Sequence, residues 1–215
     1  MNANDTSGWI WTPDWTAKDQ QIPRLVLFRR SLEITSPIEL AKIKVTADSR
    51  YKFYVNGKLV EVGPLKGNQK KWYVDTLDIS NYLHVGLNVI GVKVLRYPDI
   101  HLAGNYGVVR TEMPGLYVQG KVVTEQMRYD LKTDPNWLTF TNRHFEIVSE
   151  ANDFAPLQIY EKSSSTLILQ KWLDTDADLT GWQQAKSYRQ NEIPNVLKVK
   201  NLVARTVPFM KRKLA

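Results

Sequence analysis

The sequence predicts an all-β fold, an antiparallel β-sandwich, and three observations carry that prediction. Tyr51, Phe53 and Val55 alternate with Arg50, Lys52 and Tyr54, which is the period-two pattern of a strand with one buried face. Asn56-Gly57 follows at once, and this pair marks a two-residue hairpin because both central positions of such a turn take φ > 0. Further strand-like runs are separated by turn signals with no amphipathic helical spacer between them, which favours an antiparallel sandwich over a parallel α/β sheet.

Residues 1–8 are expected to be a disordered N-terminal segment, and Trp9, Trp11 and Trp15 then fall close together. Such a cluster could stack on sugar, but packing is the commoner use of tryptophan and is the preferred reading. Leu25 to Ile34 offers Val26, Phe28, Leu32 and Ile34 to one face, with Arg30 breaking the apolar pattern. In Leu40 to Ala47, Ala41, Ile43 and Val45 alternate with Leu40, Lys42, Lys44 and Thr46, again at period two. After the Asn56-Gly57 turn the chain returns along Lys58 to Val62, passes a polar loop from Gly63 to Lys71, and enters a strand from Trp72 to Thr76. A short turn through Asp78-Ile79-Ser80 leads to a strand from Leu87 to Val94. Arg96 to Pro114 loses the alternation and reads as a long loop, a kind of segment that often carries function. Gly115 to Val122 resumes the strand pattern.

An ordered series of motifs carries a family resemblance. A-D-S-x-Y-x-x-Y-V-N-G-K from Ala47, then Gly63-Pro64, then W-Y-x-D-T-x-D-I-S-x-Y-L from Trp72 and G-x-N-x-I-x-V-x-V from Gly86, resembles the N-terminal β-sandwich of bacterial α-L-rhamnosidases. These glycoside hydrolases remove terminal rhamnose from glycans and plant glycosides. The W-I-W opening at Trp9, the T-D-x-x-W of Thr133 to Trp137 and the exit Leu202 to Phe209 are similar to the same domain. Where the family has a segment resembling Y-D-A-R, this chain has Gln158 to Lys162, a departure from the usual subfamily pattern, although Gly181-Trp182 follows as in the family. Similar D-x-Y-x-V-N-G hairpins occur in the galactose-binding-like jelly rolls of other glycosidases, so the first motifs specify the fold before the enzyme.

The resemblance implies a β-sandwich accessory domain over residues 9–208 and a linker over 209–215 toward a downstream catalytic domain of the same polypeptide. In the family that catalytic unit is a large α-helical toroid holding the reactive carboxylates, so no catalytic residue can be assigned to this 215-residue chain and the chain alone is expected to be inactive. Glycosidic cleavage needs two carboxyl groups about 5 to 10 Å apart, a distance no sequence supplies. The implied partners are the catalytic domain and a rhamnose-containing glycan. An autonomous carbohydrate-binding module of another glycosidase and a purely structural domain remain alternatives.

Composition narrows the remaining classes. The formal net charge is +7, yet the basic residues are scattered, with compact runs only at Lys66 to Lys71 and Lys211 to Lys213. No RRM, helix-turn-helix or zinc-finger signature accompanies them, so neither nucleic acid nor a membrane is the expected partner. The chain has no cysteine, hence no disulfide or thiolate metal site. No stretch approaches the roughly 18 apolar residues of a membrane span. Met1 to Gly8 lacks the regions of a signal peptide, so the compartment stays open between the cytosol and, with a leader removed, the periplasm or the exterior. The nucleophile-elbow, phosphate-loop and H-E-x-x-H motifs are absent, and His84, His101 and His144 have no ligand spacing. Asp174-Thr175-Asp176-Ala177-Asp178 opens like a calcium loop, but Leu179 and Ala185 stand where that loop needs glycine and glutamate, and an acidic turn is the simpler reading. No cofactor or metal is expected. The candidate carbohydrate-binding residues are Trp72 and Tyr73, just after the Gly63 to Lys71 loop, and Asn105 and Tyr106 in the long loop. Aromatic faces stack on pyranoses and amides bond their hydroxyls. Adjacent strand residues point to opposite faces, so at least one of Trp72 and Tyr73 is expected in the core or at the interface with the catalytic domain.

Overall fold

The computed structural model of the chain describes residues 6–98, 109–148, 160–163 and 171–210. Its strands are β1 (Thr6–Trp11), β2 (Arg24–Ile34), β3 (Ile38–Asp48), β4 (Arg50–Val55), β5 (Lys58–Gly63), β6 (Tyr73–Asp78), β7 (Gly86–Arg96) and β8 (Gly115–Thr124). There follow β9 (Arg128–Lys132), β10 (Leu138–Asn142), β11 (Phe145–Val148), β12 (Tyr160–Ser163), β13 (Gln183–Gln184), β14 (Lys186–Arg189) and β15 (Val203–Ala204). One sheet has the order β14-β1-β8-β3-β6-β15, with β9 also pairing β8; the other has the order β13-β10-β2-β7-β4-β5; β11 and β12 form a separate ribbon. The fold is the all-β sandwich that the alternation predicts.

The core lies where the two inner faces meet. Ile43, Val45, Leu116, Val118 and Leu77 from one sheet close on Val26, Phe28, Phe53, Val92 and Val94 from the other, all buried. The strand alternation is thus realised residue by residue: Tyr51, Phe53 and Val55 are buried while Arg50 and Lys52 are exposed. Trp9 and Trp11 are 0% and 1% exposed, which gives the N-terminal tryptophans the packing role expected of them, and Trp15 meets Trp11 edge-on at 6.3 Å. Arg30, which interrupts the pattern of β2, reaches Asp134 at 3.2 Å.

The chain differs from the sequence reading at its first strand. β1 begins at Thr6, three residues before the expected start at Trp9, because Ser7 donates to the Tyr188 carbonyl at 2.9 Å and the Gly8 carbonyl accepts from the Thr133 hydroxyl. The pairing is mostly antiparallel, with one parallel exception: β15 lies beside β6, with Val203 opposite Tyr73 and Ala204 opposite Val74. The chain reaches that edge by way of two 3-10 turns, Asn195–Leu197 and Val199–Asn201, so it can join β6 in the same direction.

Segments from the last third cover the outer faces. On the β2/β7/β4 sheet, Gly91 leaves room for Trp172 and Leu173, whose side chains would stand 2.1–2.8 Å from a Cβ there. Buried Arg29 holds that segment by donating to the carbonyls of Trp172 at 3.1 Å and Asp174 at 2.7 Å. The acidic stretch after it is a turn, as the sequence suggested: the Ala177 amide donates to the Asp174 carbonyl at 3.3 Å and the Asp178 carboxylate accepts from the Thr180 amide at 2.9 Å.

Asn56 and Gly57 have φ values of 48° and 76°, so both central residues of the hairpin turn are left-handed, as a type I′ turn requires. A Cβ on Gly57 would meet no atom within 4 Å, so a substitution there tests backbone conformation alone. Gly57→Val should lower stability by about 1–3 kcal/mol, read from thermal or urea denaturation. A variant melting at the parent's temperature contradicts the turn.

Candidate carbohydrate-contacting end

One end of the sandwich collects the loops named in the sequence reading. It is built from the β3–β4 corner, the β5–β6 loop, the end of β7 and the residues entering β8. At its base sits Asp48, 0% exposed, where the chain crosses from one sheet to the other. Its carboxylate accepts from the guanidinium of Arg96, also 0% exposed, from the Thr111 amide at 2.6 Å and hydroxyl at 2.8 Å, and from the Ser49 hydroxyl at 3.2 Å. Arg96 donates further to the Thr111 carbonyl and to Gln20 Oε1 at 3.2 Å, and Arg110 reaches the same Gln20 oxygen at 2.8 Å.

Electrostatics at this base follow from burial. Loss of water pushes the Asp48 carboxyl above its ordinary value, with Arg96 and Thr111 opposing that push. Burial lowers the Arg96 value too, but from so high a starting point that the guanidinium stays charged. Each charge is therefore the compensation for the other.

A second buried acid secures the neighbouring loop. Asp75 on β6 accepts from the Tyr51 phenol at 2.5 Å and from Arg205 at 3.4 Å. A Cβ on Gly63 would lie 2.2 Å from the Asp75 carboxylate, so only glycine fits where β5 turns into the loop. Burial pushes the Asp75 carboxyl up, and burial beside Asp75 pushes the Tyr51 phenol up. Both fully buried carboxylates at this end are thus committed to structural partners.

Two hollows lie above this base. One of about 30 Å³, room for roughly one water, is lined by Pro64, Lys66, Gly67, Trp72, Tyr97 and Val109. The other, an open cleft of about 710 Å³, lies between Gln69 and Lys70 of the loop, Arg110 to Glu112, and Asn195 and Asn201. Its lining of amides and opposite charges suits hydroxyl-rich ligands, and its volume lies in the range of ligand pockets.

The sequence-selected residues fall as follows. Trp72 is 3% exposed: its indole N–H donates to Thr46 at 3.1 Å, and its ring packs with Trp9, Met113, Tyr117, Ile193 and Leu197, leaving only an edge on the small hollow. The strand alternation therefore sends Trp72 to a packed outer face, which withdraws its ring from solvent. Tyr73 is half-buried, and the Lys71 ammonium stands over its ring at 5.2 Å. Asn105 and Tyr106 lie outside the described residues, but the ends of their loop, Tyr97 and Val109, line the small hollow together with Pro64 to Gly67. Sequence reasoning missed Asp48, Arg96, Thr111 and Gln20. Only Asp48 carried a signal, as the D of the A-D-S motif, whereas the Arg96 to Thr111 contact spans a loop whose closure no local pattern reveals.

Comparison with known proteins adds to this geometry. No family model matches the sequence, and no curated protein matches it. Among solved structures, the GH78-family rhamnosidase of Bacillus sp. GL1 is 25% identical with a TM-score of 0.69, over 97% of this chain and 20% of that one. The α-L-rhamnosidase of Aspergillus terreus is 21% identical with a TM-score of 0.70, over 94% of this chain and 22% of that one. The Pleurotus ostreatus lectin is 19% identical with a TM-score of 0.52, over 85% of this chain and 41% of that one. Fold and likenesses together define an all-β sandwich domain of the kind found as part of larger proteins. More particularly, the chain is similar to a β-rich domain of α-L-rhamnosidases, and it spans about a fifth of the length of the rhamnosidases it matches.

Breaking the buried pair from one side should be costly. Asp48→Asn or Arg96→Met should each lower stability by about 3–5 kcal/mol, while the double variant should cost clearly less than the sum, because no uncompensated charge remains. Chemical denaturation of the four proteins measures this, and additive losses would contradict the pairing.

Proposed function

We propose that this chain is the non-catalytic accessory domain of an α-L-rhamnosidase, that it packs against the catalytic domain of the same polypeptide, and that its loop end contacts the glycan. The observation that carries this reading is the lopsided coverage: nearly all of this chain aligns with about a fifth of a rhamnosidase. The ordered motifs from Ala47 to Val94 support it independently. The exit is consistent with a docked neighbour, since Arg205 fastens the chain to Asp75 and its guanidinium lies 4.3 Å from the Phe209 ring centre, while Val207 and Met210 are 51% and 78% exposed beside it. Apolar side chains exposed at a domain's exit suit an intramolecular interface. The lectin likeness favours a glycan-contacting role over a purely structural one.

Two measurements test the reading. The purified chain should release no nitrophenol from nitrophenyl α-L-rhamnoside, and release that scales with protein and survives repurification overturns the accessory assignment. Titrating L-rhamnose against protein NMR shifts should move resonances of the Gly63 to Lys71 loop and of Arg110 to Glu112, with a dissociation constant of about millimolar. No saturable change up to tens of millimolar leaves a structural domain; saturable changes confined elsewhere discard this end as the site.

A further inference from the structure

Among the described residues, only half of the outer face of the β8/β3/β6 sheet is covered. Its aromatic half, Trp9, Trp72 and Tyr117, lies under Ile193 and Leu197. The other half is a shallow depression of about 680 Å³ floored by side chains of β9, β8, β3 and β6. Across these four strands one row reads Asp130, Lys121, Lys42, Asp78, and the next reads Lys132, Gln119, Lys44, Thr76. All eight are exposed.

This arrangement is poor for folding. Lys42 and Lys121 stand directly opposite one another, a cross-strand pairing of like charges that destabilises a sheet. Among the described residues none of Lys42, Lys44, Lys121 and Lys132 forms an ion pair. Asp78 opposite Lys42 feels that charge while bonded to the Ser80 amide and hydroxyl at 3.0 and 2.6 Å, and Asp130 stands opposite Lys121, so the two aspartates offset only part of the four lysines. Strand geometry spaces these ammonium stems about 5 Å apart across the sheet and about 7 Å along it. Four lysines against two aspartates leave these rows with a net positive charge on a rigid floor, and the Lys42–Lys121 repulsion is one that an anionic ligand would relieve.

We propose that this bare half-face binds an acidic polysaccharide, whose carboxylate or sulfate groups are met by Lys42, Lys44, Lys121 and Lys132. Protein interfaces are depleted in lysine at their centres, which disfavours a protein partner. Among the described residues lining the depression there is no aromatic ring, so bases have nothing to stack on. Leu40, 40% exposed, and Val123 offer apolar contact to sugar C–H faces at one edge. The site is separate from the loop end and stands whether or not L-rhamnose binds there.

The test uses the purified chain in native gels cast with polygalacturonate, heparin or neutral dextran, and a titration with duplex DNA. Polygalacturonate or heparin should retard it, in a salt-dependent way, and dextran should not; which of the two acts identifies carboxylate or sulfate as the group read. Lys42→Glu and Lys121→Glu should each weaken retention by about tenfold or more with little change in melting temperature, since each relieves the Lys42–Lys121 repulsion while setting a new like charge against Asp78 or Asp130. Lys58→Glu, in the β4–β5 hairpin of the other sheet, should leave retention unchanged. Retention by neither acidic polymer, retention indifferent to both strand variants, loss confined to variants that also lose stability, or duplex DNA bound as tightly as the polysaccharide would each overturn the proposal.

Discussion

The Asp48–Arg96 ion pair is the constraint on which the loop end depends. Removing two such charges from water costs several kcal/mol per ion, and only close geometry with further hydrogen bonds offsets it. Here both carboxylate oxygens are bonded and the terminal guanidinium nitrogens are shared among Asp48, Thr111 and Gln20, leaving Arg96 Nε without a partner. Four separate stretches of chain thereby meet at one point: the turn holding Gln20, the β3–β4 corner, the end of β7 and the approach to β8. If the pair breaks, the loops above it lose their common base. Asp75 repeats the device on a smaller scale, joining β4, β6 and the exit segment through Tyr51 and Arg205.

The sheets were legible because alternation is a local signal. Tyr51, Phe53 and Val55 announce their face through spacing alone, and Asn56-Gly57 announces the turn through the φ values it permits. The loop end was legible only in part. Proximity of the Gly63 to Lys71 loop to the ends of the long loop could be expected from a sandwich whose loops gather at its ends. The burial of Trp72 could not be assigned, because alternation says that Trp72 and Tyr73 diverge without saying which face another segment covers. That cover comes from Ile193 and Leu197, more than a hundred residues later in a stretch with no periodic pattern. Arg29 was illegible for the same reason: its partners are backbone carbonyls, which every residue carries.

The last third of the chain departs from strand patterning because of what it does in the fold. One part, with Trp172 and Leu173, fills the space left by Gly91; another, with Ile193 and Leu197, roofs Trp9 and Trp72; the last lays β15 along β6. Apolar anchors at irregular spacing are what such wrapping requires, since a segment crossing a sheet obeys neither the strand nor the helix period. Among the described residues, the surfaces this wrapping leaves open include the loop cleft, the lysine rows and the apolar exit. These surfaces differ in chemistry, one rich in amides, one cationic and one apolar.

Native-state hydrogen exchange at the amides of Ser49 and Thr111 tests most directly whether the loop end rests on a rigid base. The Ser49 amide donates to the Leu95 carbonyl at 3.3 Å and the Thr111 amide to Asp48 at 2.6 Å, so both sit inside the network although both lie outside the strands. Exchange as slow as that of the β3 and β7 core, opening only with global unfolding, is the result this account predicts. Rapid exchange at either amide, in a chain whose core strands stay protected, would contradict it.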